Sequence, residues 1–405
     1  MESKAFVKVM FRKFYQSHSL LKSSFISEIN RREFGFNLFE GRMLRHKSFK
    51  KAEDLEAFLR DSVPSDAYFS CAYYENPEAE MDRKGWLGAD LIFDIDADHI
   101  PTPCSKIHDT WICSNCGFTG RGITPEKCPI CSGEKFDATT WPCEICLESA
   151  KVETLKLLDM LTKDFGFSEK EIRLFFSGHR GYHIHIESDI VKKLDALARK
   201  EIVDYMICQG LDIISYSKRK RNNLFKDHTS DYSWAKRIKE SMAKFIHEAT
   251  EDDLREIGLK KNISKTVIQN KETFIKNLKL GTFHGVGGVG FETFKKLIEH
   301  AAKIQSVKID TVVTTDVHRL IRLPETLHGK TGLKKVEFSP SEIDNFDPFK
   351  RAIAFKEGTI TVFVSDSPEF RVSDETYGPY KNQKVTLPTA AAMLLICKGK
   401  AEVLE

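Results

Sequence analysis

The sequence predicts an α/β core interrupted twice, by a zinc-binding module near residues 104–146 and by a mainly helical segment near 195–304. Three observations carry this. The apolar stretch "GADLIFDIDADHI" (88–100) has the character of a buried strand ending in carboxylates. Of the ten cysteines, seven fall between Cys104 and Cys146. From about 190 to 304 the apolar residues take helical spacing among many lysines, and strand patterns return only afterwards.

The elements follow in order. Residues 5–25 read as a helix, and "LRHKSF" and "AYFSCAYY" as strands flanking a helix at 52–60. After the strand at 88–96 comes the cysteine-rich segment. Residues 147–165 read as a helix with Val152, Leu155, Leu158 and Leu161 at apolar positions, stopping at Gly166. "IRLFFSGHRGYHIHI" is strand, glycine turn, strand. The tail carries the strand pattern "AIAFKEGTITVFVS" and a short helix, "TAAAMLLICKG". The implied division is a core of 1–103, 147–194 and 305–405, a zinc insertion at 104–146 and a helical insertion at 195–304.

Bulk properties set limits. The 405 residues carry a net charge of only +3, so any nucleic-acid-binding surface must be local. No run reaches the roughly 18 apolar residues that a membrane helix needs, and the first residues lack a signal-peptide pattern, which predicts an intracellular protein.

Six of the seven clustered cysteines form C-x-x-C pairs, "CSNC", "CPIC" and "CEIC". In a reducing compartment this spacing favours tetrahedral Zn²⁺ over disulfides. Cys113, Cys116, Cys128 and Cys131 have the layout of a zinc ribbon. Cys143 and Cys146 then need two more ligands, which Cys104 and His108 can supply. A second pairing joins Cys128 and Cys131 to Cys143 and Cys146, leaving Cys113 and Cys116 with Cys104 and His108. Cys71, Cys208 and Cys397 read as small buried hydrophobes.

On a strand, side chains two apart share a face, so Asp94 and Asp96 are neighbours while Phe93 and Ile95 face the core. Carboxylates held that close call for a cation or a proton between them, and hard oxygen donors suit Mg²⁺ or Mn²⁺. In "SGHRGYHIHI" glycines flank His179-Arg180, with Ser177 before and His183 after, a composition suited to phosphate. His183 and His185 share a strand face, which allows metal binding or packing. Residues 308–332 offer Asp310, Arg322, His328 and Lys330, either for an anion or as a polar loop. Lys218–Arg221 suits template phosphates or a solvated helix face. "HGVGGVGF" (284–291) lacks the Gly-Lys-Ser/Thr ending of a phosphate loop and reads as a turn.

Together these clusters resemble the archaeal and eukaryotic DNA primase small (catalytic) subunit, in its archaeal form. The resemblance runs through "RREFGF" (31–36), "MLRHKSF" (43–49), "KGWLGADLIFDIDADH", "SGHRGYHIHI", "RLIRLPETLHGKTGL" and "CEICLESAK". It implies a primase core with an RRM-like sheet carrying Asp94, Asp96 and Asp310 as ligands for Mg²⁺ or Mn²⁺. Asp310 is preferred to Asp316 because it lies 18 residues before His328, as the family spacing requires. The resemblance further implies that Ser177, Arg180, His183, Arg322, His328 and Lys330 hold the nucleotide triphosphate, with Arg45 and Glu33 lining the same site. It gives His179 and Asp98 no role. A family zinc site of Cys104, His108, Cys143 and Cys146 is implied, and the ribbon of Cys113, Cys116, Cys128 and Cys131 is then an addition.

The implied activity is template-directed nucleotidyl transfer, making RNA or DNA primers on single-stranded DNA from ribonucleoside or deoxyribonucleoside triphosphates. The implied partner is the primase large subunit, and no membrane is involved. Two other classes stay open on the residues alone. A metal-dependent phosphodiesterase would use the same aspartates without a triphosphate grip. A non-catalytic zinc-ribbon adaptor for nucleic acid would leave the aspartates idle.

Overall fold

The computed structural model describes residues 3–17, 26–210, 233–280 and 289–404. Lys218–Arg221 lies outside the described residues, as does most of the glycine stretch at 284–291. The chain forms two compact units, one of residues 1–155, 167–200 and 308–405, the other of 156–166 and 201–307.

Eight strands build the part of the first unit that matters for the site. They are β1 (Phe34–Asn37), β2 (Met43–Lys47), β3 (Asp66–Ser70), β4 (Leu91–Asp96), β5 (Ile172–Phe176), β6 (Gly181–Ile186), β7 (Leu320–Arg322) and β8 (Val336–Phe338). They form two four-stranded antiparallel sheets, ordered β7-β3-β1-β2 and β8-β5-β6-β4. In β4 the residues Leu91, Ile92, Phe93 and Ile95 are buried, each contributing about 1.5–3 kcal/mol of transfer free energy. Only Asp94 and Asp96 break the run, and both are partly exposed. Pairing with β6 sets Asp94 opposite His183 and Asp96 opposite Gly181. The "AYFSCAYY" stretch is not one strand: it divides at Cys71, whose N–H goes to Arg319 and whose carbonyl accepts from Asp90. Ala72–Tyr74 then pairs with Trp86–Ala89 in a separate ribbon.

Between β4 and the helix Glu144–Lys163 lies a three-stranded antiparallel sheet with Thr110–Cys113 at its centre. Its apolar content is slight, chiefly Trp111 against Phe118 and Phe136. The C-terminal helix Thr389–Cys397 differs: Ala391 to Ile396 are all buried, so the helix is apolar all round and ends abruptly at Lys398.

One sequence expectation fails on the helix Glu144–Lys163. Its buried positions include Ala150, Thr154, Leu157, Leu158 and Leu161, whereas Val152 and Leu155 are exposed. At 3.6 residues per turn, each step of three advances about 300°, so the four positions 152, 155, 158 and 161 spread over about 180°. They cannot share one face.

In the second unit, helices Ser233–Glu248, Lys271–Lys279 and Phe291–Gln305 bury Trp234, Ile238, Met242, Phe274, Phe294 and Leu297. Arg237 ties Ser233–Glu248 to Asp159 and Asp164, each at 2.7 Å. A Thr250–Asp253 capping box starts the short helix Glu251–Glu256.

Candidate active site

The aspartates come first. Asp94 and Asp96 project from the end of β4, and the N–H of Asp310 donates to the Asp94 carbonyl at 2.9 Å. This bond brings the start of helix Thr311–Thr315 to the end of β4. Asp310 also caps that helix, its Oδ1 accepting from Val312 at 2.9 Å and Val313 at 3.3 Å. Asp316 instead caps the N–H of His318 at 2.9 Å. Burial, then the charges of Asp96 and Asp310, push the Asp94 carboxyl up to about 8. Burial and Asp98 raise Asp96 to about 6. These oxygen donors cannot all be ionised near neutral pH without positive charge among them, which fits Mg²⁺ or Mn²⁺. Among the described residues the three carboxylates do not converge to within 4.8 Å of one another; Asp96 instead gathers with Asp98 and His179 within that distance, as two cysteine-based groups do.

Beside them two loops interlock. The loop between β5 and β6 turns on Gly178, whose φ of +87° suits only glycine; a Cβ there would lie 3.2 Å from the His328 Cβ. At Gly181 a Cβ would collide with the carbonyl of Ile95, so the strand carrying the aspartates can approach only a glycine. Ser177 Oγ accepts from the N–H groups of His179 and Gly181, both at 3.3 Å. Thr331 Oγ1 donates to the Gly178 carbonyl at 2.6 Å, and the rings of His179 and His328 stack at 5.1 Å. Ser177, His179 and His328 are thus brought together, with the exposed Lys330 in the same second loop.

His183 Nε2 lies 3.5 Å from Asp94 Oδ1, and its buried Nδ1 has no hydrogen-bond partner among the described residues. Burial, with Lys335 and Arg322 nearby, holds the ring well below the usual histidine range and therefore neutral. His185 packs against Phe175 at 4.6 Å and is a core residue. Arg322 pairs with Asp66 at 2.6 Å, and Asp66 also accepts from the Gly329 N–H at 3.0 Å. Against the cost of burial, Arg322 and His328 draw Asp66 down to about 2. Glu33 and Arg45 pair with each other at 2.9 Å, and Glu33 lies 3.4 Å from Lys84. Among the described residues no hydrogen bond or ion pair joins Glu33 or Arg45 to Asp94, Asp96 or Asp310.

Arg180, which the resemblance assigns to the triphosphate, has partners of its own within the fold. It is buried, and its guanidinium is already engaged by Asp98, by Asp109 at 2.8 Å and by the Trp141 carbonyl at 3.4 Å. Asp109 in turn lies 2.7 Å from His108 Nδ1 and accepts the Trp141 N–H at 3.0 Å. Arg180 therefore braces the end of β4 against the cysteine module. Sequence reasoning missed Asp109, although a carboxylate beside a metal-ligand histidine is a frequent orienting partner. It also missed Lys335, a fully buried lysine donating to the Arg322 carbonyl at 2.9 Å, and Asp66 and Lys398.

The cysteines fall into two groups, Cys104–His108–Cys143–Cys146 and Cys113–Cys116–Cys128–Cys131, each with donor atoms within 4.8 Å. Cys104 Sγ lies 3.5 Å from the sulfurs of Cys143 and Cys146; Cys113–Cys131 and Cys116–Cys128 are 3.6 Å apart. Four thiolates about 2.3 Å from one tetrahedral Zn²⁺ would be about 3.8 Å apart, and a disulfide needs about 2.0 Å. The donor sets fit zinc and not disulfides.

Crowded carboxylates lie beside a pair of loops that carry glycine corners, two histidines and a lysine, an arrangement suited to metal ions and phosphate. A family model described as DNA primase small subunit matches residues 137–340. The chain is 31% identical over 399 residues to the DNA primase small subunit PriS of Nitrosopumilus maritimus, covering 98% of each chain. It is 32% identical to the protein of that name from Methanothrix thermoacetophila, over 100% of each chain, and 32% identical to that of Archaeoglobus fulgidus, over 99% of each. The chain belongs to the DNA primase small subunit family, and its α/β core with a cysteine-rich module is the architecture expected of it.

Proposed function

We propose that this chain is the catalytic subunit of a DNA primase, a nucleotidyltransferase that joins nucleoside triphosphates on single-stranded DNA into short RNA or DNA primers and releases pyrophosphate. The observation that carries the reading is the tether of Asp310 to Asp94 across more than two hundred residues, in a chain of the primase family. Asp94, Asp96 and Asp310 hold the divalent ions. Mg²⁺ or Mn²⁺ bound there supplies charge neutralisation for the attacking 3′-oxygen and the departing pyrophosphate.

The chain's own groups do the rest. Ser177 and the backbone of its loop set the shape of the phosphate cradle. His328 and Lys330 supply donors and positive charge on its other side, where donors aimed at phosphoryl oxygens stabilise the transition state; Arg322, like Arg180, reaches the triphosphate only by sharing its guanidinium with the carboxylates that already hold it. Neutral His183 is kept against Asp94 without adding a charge that would compete with a metal. Arg180 keeps β4 in register with the zinc module, and Glu33 and Arg45 shape the neighbouring wall. Zn²⁺ in the two Cys/His groups holds the module at 104–146. We further propose the three-part division into core, zinc insertion and helical insertion at 195–304, supported by the compact helical unit over 201–307. A large subunit completes the enzyme, and DNA as template places its work inside the cell. Among the described residues no helix is long and apolar enough to cross a membrane.

The test is incubation with single-stranded template, nucleotides and Mg²⁺ or Mn²⁺. Oligomer formation with pyrophosphate release is expected. An Asp94→Asn/Asp96→Asn double variant that keeps full activity would overturn the site.

A further inference from the structure

A second cationic centre lies against the glycine loop. Lys398 ends the apolar helix Thr389–Cys397, and its half-buried ammonium donates to the Thr140 carbonyl at 2.6 Å and to His179 Nε2 at 2.7 Å. His179 can accept there only as the neutral tautomer protonated on Nδ1. The ring of His179 lies on that of His328, and the loop continues directly into Lys330. Among the described residues, neither Lys398 nor Lys330 has a carboxylate within ion-pair distance. The acidic groups whose charge reaches Lys398 are Asp98 and Asp109, and Arg180 already binds both. Burial, then the charge of Arg180, draws Lys398 down to about 7: the embedded ammonium, partnered only by a carbonyl and an imidazole and with a second lysine close by, lacks a counter-ion. Arg180, the guanidinium that the sequence offers for a triphosphate, is neutralised by contrast.

We propose that Lys398, seated on His179, is a further phosphate-binding residue that takes the polyphosphate tail of the incoming nucleoside triphosphate. This rests on the reading of the chain as a nucleotide-polymerising primase. It also gives His179 a function: its ring fixes the ammonium above the loop, with the His328 ring as its floor.

The experiment compares the full chain with Lys398→Gln and Lys398→Arg. Glutamine keeps a donor for the Thr140 carbonyl but no charge, and thermal melting checks that it folds. Calorimetric titration with inorganic tripolyphosphate and initial-rate kinetics with nucleoside triphosphates are the readouts. Loss of one charge-assisted hydrogen bond is expected to weaken tripolyphosphate binding about tenfold and raise KM by a similar factor. The same variant should lower kcat/KM by at least that factor and leave Mn²⁺ binding unchanged, and arginine should restore most of the affinity. Parental tripolyphosphate affinity and KM in Lys398→Gln would overturn the proposal, as would an arginine variant that folds yet is as weak as glutamine. A protein that binds tripolyphosphate through Lys398 but makes no primer would keep the pocket and remove the primase reading. One that makes primers with a KM indifferent to Lys398 would do the reverse.

Discussion

The carboxylate end of β4 and the cysteine module after it both gather metal-ligand side chains, but the relation between ligand and fold is opposite in the two. At β4, a buried apolar sheet holds Asp94 and Asp96 in a place where their charges are disfavoured. In the ribbon, a short three-stranded sheet buries little more than Trp111, with Phe136 partly covered and Phe118 exposed beside it, and the sulfurs lie where zinc would hold the strands together. In the first region the fold imposes a site on the ligands. In the second the ligands impose a fold on the chain.

The largest test of that contrast is removal of zinc. Structural zinc contributes on the order of 10 kcal/mol to small modules, so chelation should open residues 113–131 to protease while the two four-stranded sheets keep their amide protection. Metal analysis should return two zinc ions per chain, falling to one in Cys113→Ser/Cys128→Ser. A parent value near one would break the two-site arrangement.

At β4 the expected outcome is reversed. Asp94→Asn should cost activity on the order of a thousandfold and still not weaken the metal-free fold. Asp94 is raised to about 8 in the folded protein, against about 3.9 in an unfolded chain. Its favourable contribution is therefore complete below about pH 4 and is lost as pH rises towards 8. Metal-free Asp94→Asn should melt above the parent at pH 8, with the advantage shrinking on acidification. Mn²⁺ should raise the parent's melting temperature more at pH 8 than at pH 6. A variant that melts lower at pH 8 would show that the carboxylates stabilise the sheet after all.

Arg180 joins the two regions and sharpens the comparison. Arg180→Ala leaves Asp98 and Asp109 without their shared cation, a loss of about 3–5 kcal/mol for a broken buried pair. Denaturant unfolding should show it, together with weaker zinc retention if Asp109 orients His108 as the geometry indicates. The smallest effects are on the helix Glu144–Lys163. Leu161→Ala should cost about 2–5 kcal/mol, and Val152→Ala, on the exposed face, within about 0.5 kcal/mol.

Much of this site is legible in the residues, for identifiable reasons. A strand alternates faces, so D-x-D alone places Asp94 beside Asp96. Glycines at 178 and 181 announce a turn, which occurs at Gly178, and the close approach at Gly181 is made to the Ile95 carbonyl. The helix stripe at 152–161 was misread because a strict three-residue step does not stay on one face. Arg180 reads as a phosphate ligand because its neighbours in sequence are glycines and histidines, and nothing in that stretch announces the carboxylates that hold it. Its actual partners come from positions 98, 109 and 141, which only folding assembles.

The sequence by itself determined the strand with its two carboxylates, the C-x-x-C pairs, the glycine corners and the family. These depend on local spacing, and backbone geometry converts spacing directly into position. Only the tertiary structure decided how the cysteines divide into two groups, which aspartate meets Asp94 and which cations remain free. Those answers depend on side chains far apart in the chain, such as His179 and Lys398, 219 residues distant. Whether a charge is available to a ligand is set by what the fold has already placed beside it.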